Sequence, residues 1–228
     1  MNRVVVLLAR APSARGKTRL TAGWPEHRAR ALRERLLLDT MTAARAAGYP
    51  LVVSFTPEEA RDELRALVGE AQLVAQRGDD LGARMRNAMR ETLAMGAAMV
   101  VLIGSDLPTL PTESIVHAFD LLEGAAFSPA MEGGRALAAE GLAQSVSPVD
   151  IVFGPSEDGG FYIVGARGDV PDIFRNVEWG QSDVLGRVTA AAHHAGLSVG
   201  FVREWWDVDA PDDLRRCRGY EEFSRTER

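Results

Sequence analysis

Short apolar runs alternate with amphipathic segments four times in the first half of the chain, and this alternation leaves few architectures open. "VVVLLA" (4–9), "LVVSF" (51–55), "AQLVAQ" (71–76) and "MVVLIG" (99–104) have the length of strands. The first and fourth are continuously apolar, as central parallel strands are when both faces are covered. Helical patterns fill the gaps at 26–48, 56–69, 78–96 and 110–124. The second of these would open on Thr56 as N-cap with Pro57 at the first helical position. Strand followed by helix, repeated, predicts an α/β fold with a mostly parallel sheet and right-handed crossovers.

The second half is less regular. Strands are expected at 150–155, 160–166 and 197–202, and helices at 182–196 and 210–223. Residues 125–148, rich in Ala, Gly, Ser and Pro, read as an inserted loop or flap within one domain spanning 1–228.

Charge and cysteine content narrow the partners. A formal net charge of -6 disfavours nonspecific binding to nucleic acid or to an anionic membrane. The run at 4–9 is too short for a signal-peptide core and reads as a first buried strand; no run reaches membrane-spanning length. Cys217, the single cysteine, excludes an intramolecular disulfide and fits a reducing cytoplasm.

The stretch "LARAPSARGKTRL" (8–20) invites comparison with a P-loop, with Ala11 where the first glycine belongs. A P-loop must lead straight into a helix whose N-terminus meets the phosphates. Here Gly23-Trp24-Pro25 interrupts any helix starting at Lys17 within about one turn, and no carboxylate directly follows an apolar strand in the Walker B manner. The stretch reads instead as an extended basic loop. Arg10, Arg15, Lys17 and Arg19 place four cations within ten residues, and backbone N–H groups around Gly16 add donors for a polyphosphate. Of 26 basic residues Lys17 is the only lysine; a compact ammonium serves a phosphate as a point charge.

Carboxylates form the complementary signal. Asp106 in "VVLIGSDLPTL" lies just beyond the carboxyl end of a buried strand, where open α/β sheets bind ligands. It is a candidate ligand for Mg²⁺ or Mn²⁺, or an N-cap for the helix near Pro111. Asp207 and Asp209 in "WWDVDAPDDL" alternate, so an extended backbone turns both to one side, where one or both can bind the metal. Asp212 and Asp213 read as acids of the following helix N-terminus. In "GPSEDGGFYIVGA", Asp158, Gly159, Gly160 and Tyr162 are either a ligand-facing turn or simply a tight turn before a strand.

These stretches, with "GDDLGARM" and in this order, resemble a bacterial glycosyltransferase-like (transferase-1-like) family of the nucleotide-diphospho-sugar transferase superfamily. More distantly, "KTRL", "GSDLP" and "DVDAPDDL" resemble the guanylyltransferases that act on phospholactate or phosphoenolpyruvate. The resemblance implies the GT-A fold, a three-layer α/β/α sandwich of Rossmann-like character with a mixed sheet. It implies that residues 9–19, including Ala9, wrap the nucleotide phosphates, and that Gly78, Asp80, Gly82 and Arg84 line the nucleoside side. Asp106 takes the metal position, completed by Asp207 or Asp209, and Asp158, Gly159, Gly160 and Tyr162 border an acceptor pocket. The chain departs from the nucleotidyltransferase pattern in lacking a Gly-rich first loop ending in R-x-G-x-x-K.

The expected activity is metal-dependent nucleotidyl transfer from a nucleoside triphosphate to a small phosphorylated acceptor. Arg15, Lys17 and Arg19 would then neutralise the leaving group. The alternatives are glycosyl transfer from a nucleotide-sugar, with Asp158 as base, and an inactive nucleotide-binding module. A homodimer stays open.

Overall fold

The computed structural model describes residues 2–125 and 147–224. Its strands are β1 (Arg3–Arg10), β2 (Leu51–Thr56), β3 (Gln72–Ala75), β4 (Met99–Ile103), β5 (Ile151–Pro155), β6 (Phe161–Arg167) and β7 (Val199–Phe201). They form one sheet in the order β3-β2-β1-β4-β6-β5-β7. β1 pairs in parallel with β2 and β4, and β2 with β3. β6 runs antiparallel to both β4 and β5, and β7 is parallel to β5. The reversal at β6 has a simple cause: only Ser156–Gly160 separate it from β5, and a parallel return needs a crossover of roughly a dozen residues or more.

The helices are α1 (Glu26–Ala46), α2 (Arg61–Val68), α3 (Leu81–Ala94), α4 (Thr112–Glu123), α5 (Val184–His194), α6 (Pro211–Arg216) and α7 (Glu221–Ser224). Successive strand residues point to opposite faces, which divides the apolar runs between two cores. Val5, Leu7 and Ala9 of β1 join Val101 and Ile103 of β4 under α1, α2 and α4. Val4 and Val6, with Val100 and Leu102, pack under α3 and α5. The architecture is therefore an α/β/α sandwich around a mixed, mostly parallel sheet, and the continuous apolar runs mark strands buried on both sides. Each such Val or Leu contributes about 1.5–3 kcal/mol when fully buried.

A third cluster bears directly on the site. Leu20 after β1, Leu32 and Leu36 of α1, and Val208, Leu214 and Tyr220 from the C-terminal segment bury one another. This packing clamps the basic loop and the "DVDAPDD" segment to one side of α1.

Two local expectations are corrected. Thr56 is not a helix cap: it ends β2 in register with Arg10, and its carbonyl accepts the Ala11 N–H at 2.8 Å. A 3-10 turn, Glu58–Ala60, intervenes before α2. The closing helix divides into α6 and α7 near Gly219, whose φ of 85° suits a glycine. The expected flap at 125–148 falls, except at its ends, outside the described residues. No described helix is long and apolar enough to cross a membrane.

Candidate functional site

A cleft of about 520 Å³ opens over the carboxyl ends of β1 and β4. Its lining includes Ala9 and Arg10 from the end of β1, Gly16, Lys17 and Arg19 from the basic loop, and Gly104 to Asp106 after β4. Gln76, Arg84, Tyr162 and Asp209, with Thr18, Arg33 and Thr56, complete the polar part.

The acidic side is assembled by backbone hydrogen bonds. Trp205 bridges to Ser156 in parallel beyond β5, and the Val208 N–H donates to the Asp106 carbonyl at 3.0 Å. The segment 205–209 therefore runs extended past the ends of β5 and β4, with Val208 buried between its two aspartates. Asp106, Asp207 and Asp209 each offer a carboxylate oxygen within 4.8 Å of the others. Gly104 leaves the room this requires, since a Cβ there would lie 2.8 Å from Asp106 Oδ1. Asp106 does not cap α4, whose N-cap residue is Pro111.

Lys17 reaches into this acidic group from the opposite wall. Its Nζ forms ion pairs with Asp106 and Asp209 and donates to the Val208 carbonyl at 2.8 Å. The residue adopts φ 54°, a left-handed conformation that costs a non-glycine residue about 1 kcal/mol. The Thr21 N–H and hydroxyl both donate to its carbonyl at 3.0 Å and hold it there. Burial opposes charge on this ammonium, but the two carboxylates outweigh it and raise its pKa above the ordinary lysine value. Among the described residues Asp207 has no ion-pair partner; it accepts the Ser156 hydroxyl at 3.3 Å. Burial pushes its carboxyl up to about 7, and repulsion from Asp106 and Asp209 adds to this against a partial offset from Lys17.

The expected site residues separate into three groups. Ala9, Arg10, Gly16, Lys17, Arg19, Arg84, Asp106, Tyr162 and Asp209 line the cleft; Asp207 stands against it through the carboxylate group. Arg15 does not join the other three cations: it is exposed and outside the lining. Nor do Gly78, Asp80 and Gly82 line the cleft. Asp80 caps α3, accepting the Ala83 N–H at 2.8 Å, and the Gly78 carbonyl accepts from Arg84 Nε at 3.0 Å. Gly82 is buried where a Cβ would sit 2.7 Å from that of Phe174.

Asp158, Gly159 and Gly160 also lie off the lining, in the β5–β6 turn. Asp158 accepts the Gly160 N–H at 2.9 Å and acts on Asp207 through its charge. A Cβ on Gly159 would fall 1.9 Å from the Ser182 carbonyl oxygen, so close backbone packing already demands a glycine there. Tyr162 is buried and donates its hydroxyl to the Arg203 carbonyl at 2.9 Å.

Three contributors escape the motif reading. Arg33 of α1 is buried, donates to the Pro12 carbonyl at 2.8 Å and pairs with Glu26, bracing the basic loop from beneath. Its position on the apolar stripe with Ala29, Leu32 and Leu36 was the available signal. Gln76 is pinned by its Nε2, which donates to the Ala9 and Ser54 carbonyls at 3.0 and 2.9 Å. Ser156 is recognisable only once Asp207 stands beside it.

The fold is that of the nucleotide-diphospho-sugar transferases. The chain belongs to the family described as "Uncharacterized protein conserved in bacteria (DUF2064)", which it matches over residues 38–181. Among solved structures it resembles a Desulfovibrio desulfuricans G20 protein provisionally described as a nucleotide-diphospho-sugar transferase. The two are 27% identical, with a TM-score of 0.77 over 96% of this chain and 87% of that one. It also resembles a CMP:2-keto-3-deoxy-manno-octonic acid synthetase complexed with CTP, at 14% identity and TM-score 0.58, covering 97% and 99% of the chains. Mycobacterium tuberculosis H37Rv Rv0371c in complex with manganese is similar in fold at 19% identity and TM-score 0.50, covering 95% and 97%. Comparison with curated proteins gives no match.

Proposed function

We propose that this protein is a metal-dependent, nucleotide-binding transferase of one domain, with an insertion at about 125–148. Its reaction is read as transfer of a nucleoside monophosphate from a triphosphate to a small phosphorylated acceptor. The observation that carries this reading is the meeting of Lys17 with Asp106 and Asp209 in a cleft whose lining also holds Arg10 and Arg19. Among the described residues, neither arginine has an ion-pair partner. Two uncommitted guanidinium groups beside an acidic cluster suit a phosphate chain bridged to carboxylates by a cation.

The carboxylate set fits Mg²⁺ or Mn²⁺: all-oxygen donors, three charges and close spacing match a hard divalent ion. Asp106, Asp207 and Asp209 would hold it, and when bound it would neutralise phosphate oxygens. The similar fold solved with manganese and the one solved with CTP support the same reading.

In the reaction, an oxygen of the acceptor phosphate attacks the α-phosphorus, the bond from that phosphorus to the bridging oxygen breaks, and pyrophosphate leaves with the electron pair. Arg10, Lys17 and Arg19 bind the β- and γ-phosphates and stabilise the leaving charge. The contribution of this chain is positioning and electrostatics, with no covalent nucleophile required. Asp158 and Tyr162 are read as bordering the acceptor, Tyr162 from the cleft lining and Asp158 from the β5–β6 turn, where its charge acts on Asp207.

The deciding experiment incubates the protein and Mg²⁺ with each nucleoside triphosphate and a panel of phosphorylated acceptors and measures pyrophosphate. Release dependent on both substrates supports nucleotidyl transfer. Glycosyl transfer is the second reading, favoured by the description of the Desulfovibrio protein. Thermal stabilisation by nucleotide-sugars alone, with no pyrophosphate under any condition, would establish it over the first. A cytoplasmic location goes with either reading.

A further inference from the structure

We infer that Lys17 is the resident counter-cation of the carboxylate group and is displaced from it by a divalent metal ion, which is what makes its ammonium available to phosphate. This rests on the reading of Asp106, Asp207 and Asp209 as the metal-binding set. An ammonium has three N–H donors, and Lys17 directs them to Asp106, to Asp209 and to the Val208 carbonyl. None remains for a phosphate oxygen. The side chain is only 19% exposed, so it is not free to serve a ligand from its present place.

The contacts that occupy Lys17 belong to the carboxylates a metal would take. Three carboxyl groups face one ammonium, so the group keeps a net negative charge, and among the described residues Asp207 has no ammonium or guanidinium bonded to it. A divalent ion bound there removes the attraction that holds Lys17. The ammonium is then left in the cleft with Arg10 and Arg19, two lining arginines without ion-pair partners among the described residues. Metal and phosphate binding become coupled through one side chain, and by linkage each strengthens the other. The chain thereby avoids leaving a bare carboxylate cluster when metal is absent, at the cost of competition when metal arrives.

Lys17 is the only lysine, so its ε-amine can be followed in the unaltered protein. We expect acetic anhydride at pH 8 to acylate it at least tenfold faster with saturating Mg²⁺ than in chelator, scored by peptide mass spectrometry against the α-amine as internal reference. Separately, electron paramagnetic resonance of free Mn²⁺, without nucleotide, should show Lys17→Met binding Mn²⁺ about tenfold more tightly than the unaltered protein. If metal binds but leaves acylation unchanged or slower, Lys17 is not displaced and the inference fails. Unchanged or weaker Mn²⁺ affinity in a folded Lys17→Met protein overturns it equally, while the metal reading stands. If Mn²⁺ binds neither protein at millimolar concentration, the metal reading fails and takes the inference with it.

Discussion

The two walls of the cleft are built in opposite ways. The basic wall comes mainly from one contiguous segment, Ala9 to Arg19, and two of its arginines have no ion-pair partner among the described residues. The acidic wall is drawn from two distant segments, with Ser156 from a third, and is tied together by backbone hydrogen bonds and by Lys17. A contiguous wall can lose one cation and keep its outline. An assembled wall depends on each contact, because separated segments are held in register only by those contacts. The difference teaches where substitutions should be severe.

The largest effect is expected on the acidic wall. Asp106→Asn removes a charge from the group and should lower turnover by about 100-fold or more, with Mn²⁺ affinity falling in a direct binding titration. Full activity in that variant would shift the metal reading away from Asp106. On the basic wall, Arg10→Ala and Arg19→Ala should each weaken triphosphate binding about tenfold by calorimetry, near 1.4 kcal/mol. Arg15→Ala should change it by less than about twofold, since Arg15 does not line the cleft. Equal losses at all three positions would mean the loop closes differently over its ligand.

Arg33→Met tests the brace beneath the loop. Removing it leaves the Pro12 carbonyl without its donor and Glu26 without its partner. A loss of about 1–3 kcal/mol of stability is expected, together with several-fold weaker nucleotide binding, since Arg33 both braces the loop and lines the cleft.

The smallest effect has the opposite sign. The carboxyl of Asp207 is raised in the folded protein above its unfolded value, reaching about 7. Its contribution to stability is therefore fully present below about pH 4 and is lost as the pH rises through 7. Asp207→Asn should stabilise the metal-free protein by about 1 kcal/mol at pH 8 and by almost nothing at pH 4, read as the difference in melting temperature. Saturating Mg²⁺ should abolish the advantage by favouring the unaltered protein. An equal gain at both pH values would show that charge is not its source.

Much of this was legible along the chain. The strands β1 and β4 followed from uninterrupted apolar runs, because a strand covered on both faces has no polar side to show. The basic loop was legible because its cations are neighbours in sequence, and Asp106 because the end of a central strand is where such sheets bind. The carboxylate pair 207 and 209 was legible from alternation alone. Less was legible in "GDDLGARM", where Asp80 turned out to serve a helix cap and Gly82 a packing contact. Motif position does not distinguish a residue facing a ligand from one facing its own helix. The same ambiguity covers Asp158, whose carboxylate accepts the Gly160 N–H of its own turn.

Local pattern was enough to determine the layered α/β class, the placement of the strands, a cation-rich turn after the first of them and an aspartate at the end of another, since periodicity and burial act over a few residues. Tertiary structure alone decided that β6 lies between β4 and β5, that Arg15 stands aside, and that Lys17 is shared between Asp106 and Asp209. Those outcomes depend on which distant segments the sheet order and the third apolar cluster bring together. Ion pairs and hydrogen bonds form only within a few ångströms, so no spacing along the chain encodes them until the backbone has closed the distance.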